Sequence, residues 1–363
     1  MLLSAFIMML ALQACNKEFD YVDPTLPSTV TPGPTGTVTL NALINSDTSF
    51  SFLKAAVAKA GLATILNDTD LRLTLFAPDN AAFRRSLPAL GLPPVEAALG
   101  YIDTATMRSI LSYHLSPDYL PAESIPATFP NLQYPTFLNP APQLSPLLRL
   151  TIFPSRNANG AFVNAIPVTA VNTAASNGVL HRVAALVAPP SKSIYELITA
   201  DTSLTFLVKA LARADSGRTT IANGSLTEAS KSIGANLTLF APTNDAFKNL
   251  LIELHQQPVE AIINYLPVDT VRAIIAYHLL GSRAFSVNMP TTPTFVKTVL
   301  NASLPASHPG LNVVVGFTGP FVTAFNVTGV GNGGAAAQVI AQDVHATNGV
   351  VHKINRVLLP LPR

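Results

Sequence analysis

An internal duplication limits the folds open to this chain more than any other feature of its sequence. Three segments occur twice in the same order, with similar spacing: Leu-Thr-Leu-Phe-Ala-Pro from Leu73 and Leu237, Tyr-His-Leu from Tyr113 and Tyr277, and Asn-Gly-Val from Asn177 and Asn348. A repeat of about 150 to 170 residues is too long for a solenoid, whose repeats are much shorter. The sequence therefore predicts two tandem domains.

The composition excludes several classes of protein. Of the 363 residues, 12% are charged and 48% are hydrophobic, and 22 Lys and Arg stand against 20 Asp and Glu. Without a basic excess we expect no nucleic-acid partner, and the apolar content argues against an intrinsically disordered chain. The single cysteine excludes a disulfide framework and a multi-cysteine metal site.

That cysteine follows an apolar N-terminal segment. Residues 1–14 are uncharged, too short to span a bilayer, and typical of a signal peptide. Leu12-Gln13-Ala14-Cys15 resembles the lipobox of bacterial lipoproteins, in which a lipid is attached to the cysteine; an ordinary signal peptide is the alternative. Residues 15–37 are rich in Pro and Thr and predict an extended tether. The polar residues after Cys15 resemble the surface-export signal of some Bacteroidetes lipoproteins.

The first half of each repeat is predicted to be mainly helical. Apolar spacing predicts an amphipathic helix over 47–66, and two more over 95–102 and 107–114. Between them, alternation of Leu with polar residues over 71–75 predicts a half-buried strand that ends at Ala77-Pro78. A short helix follows this strand, capped by Asp79 in the first repeat and by Thr243 in the second.

The second half of each repeat is predicted to be a sheet. The Asn-Gly pairs at 177–178 and 348–349 are typical of a type I′ hairpin turn, in which both central residues have positive φ. One strand would lie before this turn, over 168–171. His181 and His352 would lie on one face of the strand after it, together with valines.

The repeated segments together resemble the fasciclin (FAS1) domain, over residues 38–190 and 191–363. This resemblance implies an α+β fold in which a β-sandwich or wedge of about seven strands carries several helices. It also implies a non-enzymatic role in cell adhesion or matrix-like binding, without a cofactor. The Tyr-His motif of the family is implicated in integrin binding in animal members, and in this chain it is expected to be structural or to bind a partner. The Asn-Gly-x-x-His motif is expected to be structural. In this sequence the two motifs correspond to Tyr113 and His114, Tyr277 and His278, Asn177, Gly178 and His181, and Asn348, Gly349 and His352.

Two chemical functions compete with a structural role for these histidines. A zinc site needs three or four ligands, but each repeat offers two recurring histidines, and a third in the second repeat, His345, corresponds to Ala174. A Ser-His-Asp hydrolase often carries Gly-x-Ser-x-Gly, which the sequence lacks. The natural candidate acid, Asp79, is replaced by Thr243, which helix capping allows. We therefore predict neither metal ligands nor catalytic residues.

The functional expectation is a lipid-anchored outer-membrane protein, held through Cys15 at the cell surface, that recognises an extracellular protein or glycan. The alternative is an accessory glycan-binding lipoprotein of a polysaccharide-uptake system. Carbohydrate sites favour exposed aromatic rings, and the absence of Trp counts against that alternative. Individual specificity is expected in two insertions of the second repeat, at 216–234 and 329–337, the latter a flexible hairpin loop. The oligomeric state and the packing of the two domains stay open.

Overall fold

Each repeat contains one pair of parallel strands inside a sheet that is otherwise antiparallel. The computed structural model describes residues 33–125, 127, 132–253 and 266–361. The predicted signal peptide, Cys15 and most of the predicted tether lie outside these residues. In the part of the chain described here, no helix has the length and apolar character needed to cross a membrane.

The first repeat places most of its helices before its sheet. Its α-helices are α1 (Leu40–Ser46), α2 (Ser51–Ala60), α3 (Ala63–Asn67), α4 (Asn80–Ser86) and α5 (Thr104–Tyr113). Its 3₁₀ helices are Thr48–Phe50, Leu87–Leu90, Glu96–Tyr101 and Ala122–Ser124. Its strands are β1 (Leu73–Pro78), β2 (Leu115–Ser116), β3 (Tyr134–Pro135), β4 (Thr151–Ile152), β5 (Pro154–Asn157), β6 (Gly160–Val163), β7 (Ile166–Ala175) and β8 (Gly178–Val183).

The second repeat follows the same order, with longer strands in its outer hairpin. Its α-helices in the described ranges are α6 (Ile194–Ala200), α7 (Thr205–Ala214), α8 (Leu226–Lys231), α9 (Asn244–Glu253) and α10 (Val268–Tyr277). Its 3₁₀ helices are Thr202–Leu204, Ser286–Asn288, Val299–Ser303 and Val330–Asn332. Its strands are β9 (Leu237–Pro242), β10 (Leu279–Leu280), β11 (Thr294–Val296), β12 (Leu311–Thr318), β13 (Phe321–Thr328), β14 (Ala337–Ala346) and β15 (Gly349–Ile354).

The two sheets share one strand order. The first sheet runs β2-β1-β8-β7-β6-β5 and the second runs β10-β9-β15-β14-β13-β12-β11, while β3 and β4 form a separate pair. The pairs β1–β8 and β9–β15 are parallel, and the other pairs are antiparallel. The predicted α+β fold, with about seven strands and several helices in each repeat, is confirmed.

The strand β1 differs from the half-buried strand predicted for it. All six of its residues are buried, whereas its end at Pro78 agrees with the prediction. β1 lies between β2 and β8, so both of its edges are paired, and the burial of all six residues shows that both of its faces are covered, which is usual for a parallel pair. The alternation of Leu with Arg72 and Thr74 was therefore a misleading sign of an exposed face. Thr74 is buried because its hydroxyl donates to the Asp118 carbonyl at 2.7 Å.

The predicted type I′ turn at Asn-Gly is also wrong. Strand β7 ends at Ala175, which pairs with Gly178, so the two residues between the strands are Ser176 and Asn177. Asn177 does not have a positive φ. Glycine is required at 178 because a Cβ there would collide with the backbone oxygen of Leu73 on β1, and a Cβ at Gly349 would collide likewise with that of Leu237.

The helices lie where they were predicted, but their lengths and types differ: the one predicted over 107–114 begins earlier, at Thr104, and Val95 of the predicted apolar face over 95–102 is exposed. The helix expected over 47–66 is split into a 3₁₀ turn, α2 and α3, because Gly61 takes a left-handed φ of 67° and ends α2. The segment expected to be helical over 95–102 forms a 3₁₀ helix. Asp79 caps α4 as predicted, accepting from the Ala82 amide at 2.8 Å. Thr243 accepts in the same way from the Ala246 amide.

Candidate functional site

The histidine that follows each Tyr is buried where a helix of its repeat meets the sheet. In the first repeat, His114 Nδ1 donates to the Ile110 carbonyl at 2.8 Å, and Nε2 accepts from the Val187 amide at 2.9 Å. His278 makes the same pair of bonds in the second repeat, to Ile274 and Leu358. Burial lowers the pKa of each of these two histidines to about 4, so both rings are neutral at pH 7.

The tyrosine of each Tyr-His pair is equally enclosed. Tyr113 and Tyr277 are fully buried, and their hydroxyls donate to the carbonyls of Thr151 at 2.8 Å and Gly310 at 2.7 Å. Burial raises the pKa of both phenols. The motif therefore binds the end of α5 or α10 to the strand-rich half of its repeat. In the folded protein neither side chain reaches the surface to contact a partner.

The asparagine of Asn-Gly-x-x-His connects three elements in each repeat. Asn177 accepts from the Leu40 amide at 2.9 Å, at the start of α1, and its amide group donates to the Leu66 and Asp68 carbonyls. Asn348 accepts from the Ile194 amide at 2.8 Å and donates to the Ser230 carbonyl at 2.8 Å. Each asparagine thus occupies its hydrogen-bonding groups inside the protein.

The histidine of the same motif holds a bulge in the neighbouring strand. His181 Nε2 donates to the Leu120 carbonyl at 2.8 Å, and Nδ1 accepts from the amide of Asn172, whose φ is 60°. His352 and Asp343 repeat this arrangement, with the same φ. The pKa of both histidines is lowered, first by burial. In the register of the parallel pairs, His181 lies opposite Phe76 and His352 opposite Phe240.

The four recurring histidines use both ring nitrogens on backbone groups, so none has a nitrogen free for a metal. Among the residues that the structure describes, no three His, Cys, Asp or Glu side chains come together as a candidate metal site. The fifth histidine considered, His345, accepts at Nε2 from the Arg283 guanidinium at 2.9 Å. Burial lowers the pKa of His345 well below its usual value, and the charge of Arg283 lowers it further. The same charge opposes the binding of a metal cation at His345.

The junction between the repeats was not predicted from the sequence. Phe153 and Phe162 of the first repeat share one buried cluster with Phe285, Val287 and Val350 of the second. The rings of Phe153 and Phe285 have centroids 5.8 Å apart. These phenylalanines lie outside the three repeated segments, and only the general apolar content of the chain could have indicated them.

A buried arginine completes this junction. The Arg283 guanidinium lies 4.6 Å from the centroid of the Phe153 ring, and it donates to Asn236, His345 and the carbonyls of Ala346 and Thr347. Burial lowers the pKa of Arg283 to about 10, which still leaves it charged at neutral pH. Its donors are matched by neutral acceptors and an aromatic face, a known way to hold a cation away from water.

Of the two insertions expected to confer specificity, the one at 329–337 is more ordered than predicted. In 329–337, Asn332 is buried and accepts from the Leu359 amide at 3.0 Å, and a Cβ at Gly331 would collide with the Leu361 backbone. This segment packs on the C-terminal part of the chain and is not a flexible hairpin loop. The insertion at 216–234 contains α8, whose first turn donates to the Asp215 carboxylate.

The described surface contains a polar groove on the second repeat. Its volume is about 460 Å³, and its walls carry five side-chain amides and one guanidinium: Asn249, Asn312, Asn326, Gln338, Asn355 and Arg356. Such side chains offer paired donors and acceptors, the groups that bind hydroxyl-rich molecules. No aromatic ring is among the lining residues.

Comparison with known proteins agrees with this architecture. The family profile of the Fasciclin domain matches residues 48–189 and 203–360. The chain is 27% identical over 246 residues to transforming growth factor-beta-induced protein ig-h3 of Sus scrofa, covering 67% of this chain and 31% of that protein. It is 27% identical over 222 residues to human periostin, covering 58% of this chain and 22% of periostin. The chain thus spans less than a third of the length of each relative.

A solved structure of a domain pair is also similar to this chain. It is the FAS1 domain pair of the insect cell adhesion molecule fasciclin I, with 17% identity and a TM-score of 0.36 over 85% of this chain and 95% of that one. The family match covers two stretches and most of the chain. The protein therefore belongs to the fasciclin family and contains two tandem fasciclin domains.

Proposed function

We propose that this protein is a non-enzymatic, lipid-anchored binding protein of the cell surface, of the adhesion type, whose partner is an extracellular protein. The observation that carries the proposal is the contact between the two fasciclin domains through a buried aromatic cluster. Two domains held together by such a contact present surfaces of both in one arrangement, which lowers the ordering cost of binding a large partner. Membership of the fasciclin family supports adhesion over catalysis.

The internal motifs support a scaffold role over a catalytic one. The recurring Tyr, His and Asn side chains form their hydrogen bonds with backbone groups. A partner must therefore be recognised by other residues, on the exposed surface. General acid–base catalysis needs a titratable group within reach of a substrate. The four neutral histidines are enclosed and held by their own bonds.

A binding panel tests the recognition. The full chain carrying Cys15→Ser, and hence without lipid, is immobilised and exposed to purified extracellular-matrix proteins and polysaccharides. We expect saturable binding to at least one protein and no chemical change in it. If the chain bound none of the proteins, the adhesion proposal would be wrong.

Fractionation of cells tests the anchor. The wild-type protein is expected in the membrane fraction, and the Cys15→Ser variant in the soluble or secreted fraction, because several buried acyl chains hold a protein firmly. A matched substitution of a nearby polar residue, Ser28→Ala, is expected to leave the protein membrane-bound. Retention of Cys15→Ser in the membrane would refute lipid attachment.

Glycan binding is the second candidate, and the polar groove favours it. Asn312 on β12 pairs with Thr328, Asn326 on β13 pairs with Val314, and both asparagines line the groove. If a polysaccharide were the partner, the double variant Asn312→Ala and Asn326→Ala would lose about thirtyfold in affinity, since amide bonds to ligand hydroxyls are worth about 1 kcal/mol each. The exposed Asn45→Ala is the control. An array without glycan signal eliminates this candidate.

A further inference from the structure

The outer hairpins of the two domains differ at one cross-strand position. In the first domain, Arg156 on β5 pairs with Ala161 on β6. In the second, the pair at the corresponding place is Val315 on β12 and Phe325 on β13. The correspondence follows from the sheets, because the third strand pairs with the motif strand in the same register in both domains, Val168 with Val183 and Val339 with Ile354.

The register of the neighbouring strands shows which residue of the first domain corresponds to Phe325. Ala161 lies opposite Val168. Val327 lies opposite Ala337 and Asn326 opposite Gln338. The same antiparallel register, continued by one residue on each strand, places Phe325 opposite Val339. Phe325 in the second domain therefore occupies the place of Ala161 in the first.

In the second domain this phenylalanine fills the space above the motif residues. The Phe325 ring lies edge-on to Phe240, with centroids 6.0 Å apart, and to His352, with centroids 5.0 Å apart. It is only 4% exposed, and Val315 beside it is 2% exposed. Phe240 and His352 are themselves stacked with centroids 5.6 Å apart.

In the first domain Ala161 stands in the place of Phe325, and Phe76 and His181 are each only 1% exposed. Phe76 and His181 are stacked with the same centroid separation of 5.6 Å. Above them, where the second domain has a phenyl ring, Ala161 leaves a cavity of about 370 Å³. Its other walls include Ile125, Val168 and Val171. This volume lies within the range of small-ligand sites.

The charge beside this position also differs between the two domains. Arg156 lines the cavity and is exposed. Among the described residues, its guanidinium has no hydrogen-bond or ion-pair partner. The neighbouring acid, Glu123, already accepts from the Asn172 side chain at 2.8 Å. The buried Val–Phe pair of the second domain is thus replaced in the first by an open ring-sized space beside an unpaired cation.

We propose that this cavity of the first domain, the Arg156 pocket, binds a small aromatic carboxylate. The single ring occupies the place that Phe325 fills in the second domain, edge-on to Phe76 and His181, and the carboxylate pairs with the Arg156 guanidinium. Aromatic rings prefer such edge-to-face contacts, and guanidinium pairs well with planar carboxylates. The inference is independent of the adhesion partner.

Binding of 3-phenylpropionate to the whole protein tests the proposal. Saturation-transfer NMR and calorimetry are expected to show saturable binding by the wild type. The Kd should be at or below about 10 mM, since a ligand of this size has limited binding energy. Ala161→Phe is expected to abolish binding, because the new ring fills the pocket as Phe325 does. Benzylamine, of similar shape and opposite charge, should bind at least about tenfold more weakly.

Two further variants keep the test decisive. Arg156→Glu changes an exposed side chain and leaves the cavity intact. It is expected to weaken the binding of 3-phenylpropionate about tenfold or more, and it still tests the proposal if Ala161→Phe folds poorly. Arg218→Glu, a cation of the second domain, is the charge-matched control and should leave the affinity unchanged. No binding by the wild type, equal binding by Arg156→Glu, or undiminished binding by folded Ala161→Phe would each overturn the proposal.

Discussion

Single residues show how the family motifs work in this protein. His114 and His278 are neutral hydrogen-bond bridges, with one ring nitrogen donating within the helix and the other accepting from a backbone amide that follows the last strand of the repeat. The residue types were predictable from their repetition, and so was burial, because each histidine continues an apolar face. Their partners were not predictable, since Val187 and Leu358 lie about 70 to 80 residues away along the chain.

These histidines predict a loss of stability in acid. Their pKa is about 4 when folded and near 6.5 when unfolded. The unfolded chain therefore binds more protons below neutrality, and the stabilisation, complete above about pH 6.5, is lost as the pH falls toward 4. The urea midpoint should drop steeply from pH 7 to pH 4.5. The variant His114→Gln with His278→Gln should be less stable at pH 7 but show a shallower pH dependence; equal slopes would contradict the assignment.

Secondary-structure elements were easier to locate than to orient. The sequence indicated β1, the capped helix after it, α5 and β8, because caps and helical periodicity are local signals. It did not indicate that β1 runs parallel to β8 at the centre of the sheet. That arrangement depends on pairing between segments about 100 residues apart, and the two polar positions near β1 imitated an exposed face.

The parallel pairing makes a prediction about its glycines. Gly178→Ala and Gly349→Ala would push a methyl group into the backbone oxygens of Leu73 and Leu237. Each is expected to cost about 2 to 3 kcal/mol in the free energy of unfolding, as overpacking does when the backbone must shift. Gly281→Ala is the matched control, since its new methyl group would meet no atom within 4 Å beyond its chain neighbours, and it should change stability by less than about 0.5 kcal/mol. Chemical denaturation of the three variants measures this difference.

At the scale of the whole molecule, the junction couples two domains that each have their own large core. The clusters around α2 and α5 in the first domain and around α7 and α10 in the second are separate from the junction cluster. Duplication predicted the two cores but not the junction. The residues that join them, Phe153, Phe285 and Arg283, have no counterparts in the repeated segments, because an interface between unlike faces needs different residues from the two copies.

Removing the centre of the junction should uncouple the domains. Phe285 is buried against Phe153 and His345, and Phe285→Ala is expected to cost about 3 kcal/mol. Because the loss falls on the contact between the domains, the single unfolding transition expected of the coupled pair should separate into two in calorimetry, and small-angle scattering should show a larger radius of gyration. Phe321→Ala, whose ring is 61% exposed, should do neither. If Phe285→Ala lowered stability while the two domains still unfolded together, the junction would be contributing to one core and not coupling two.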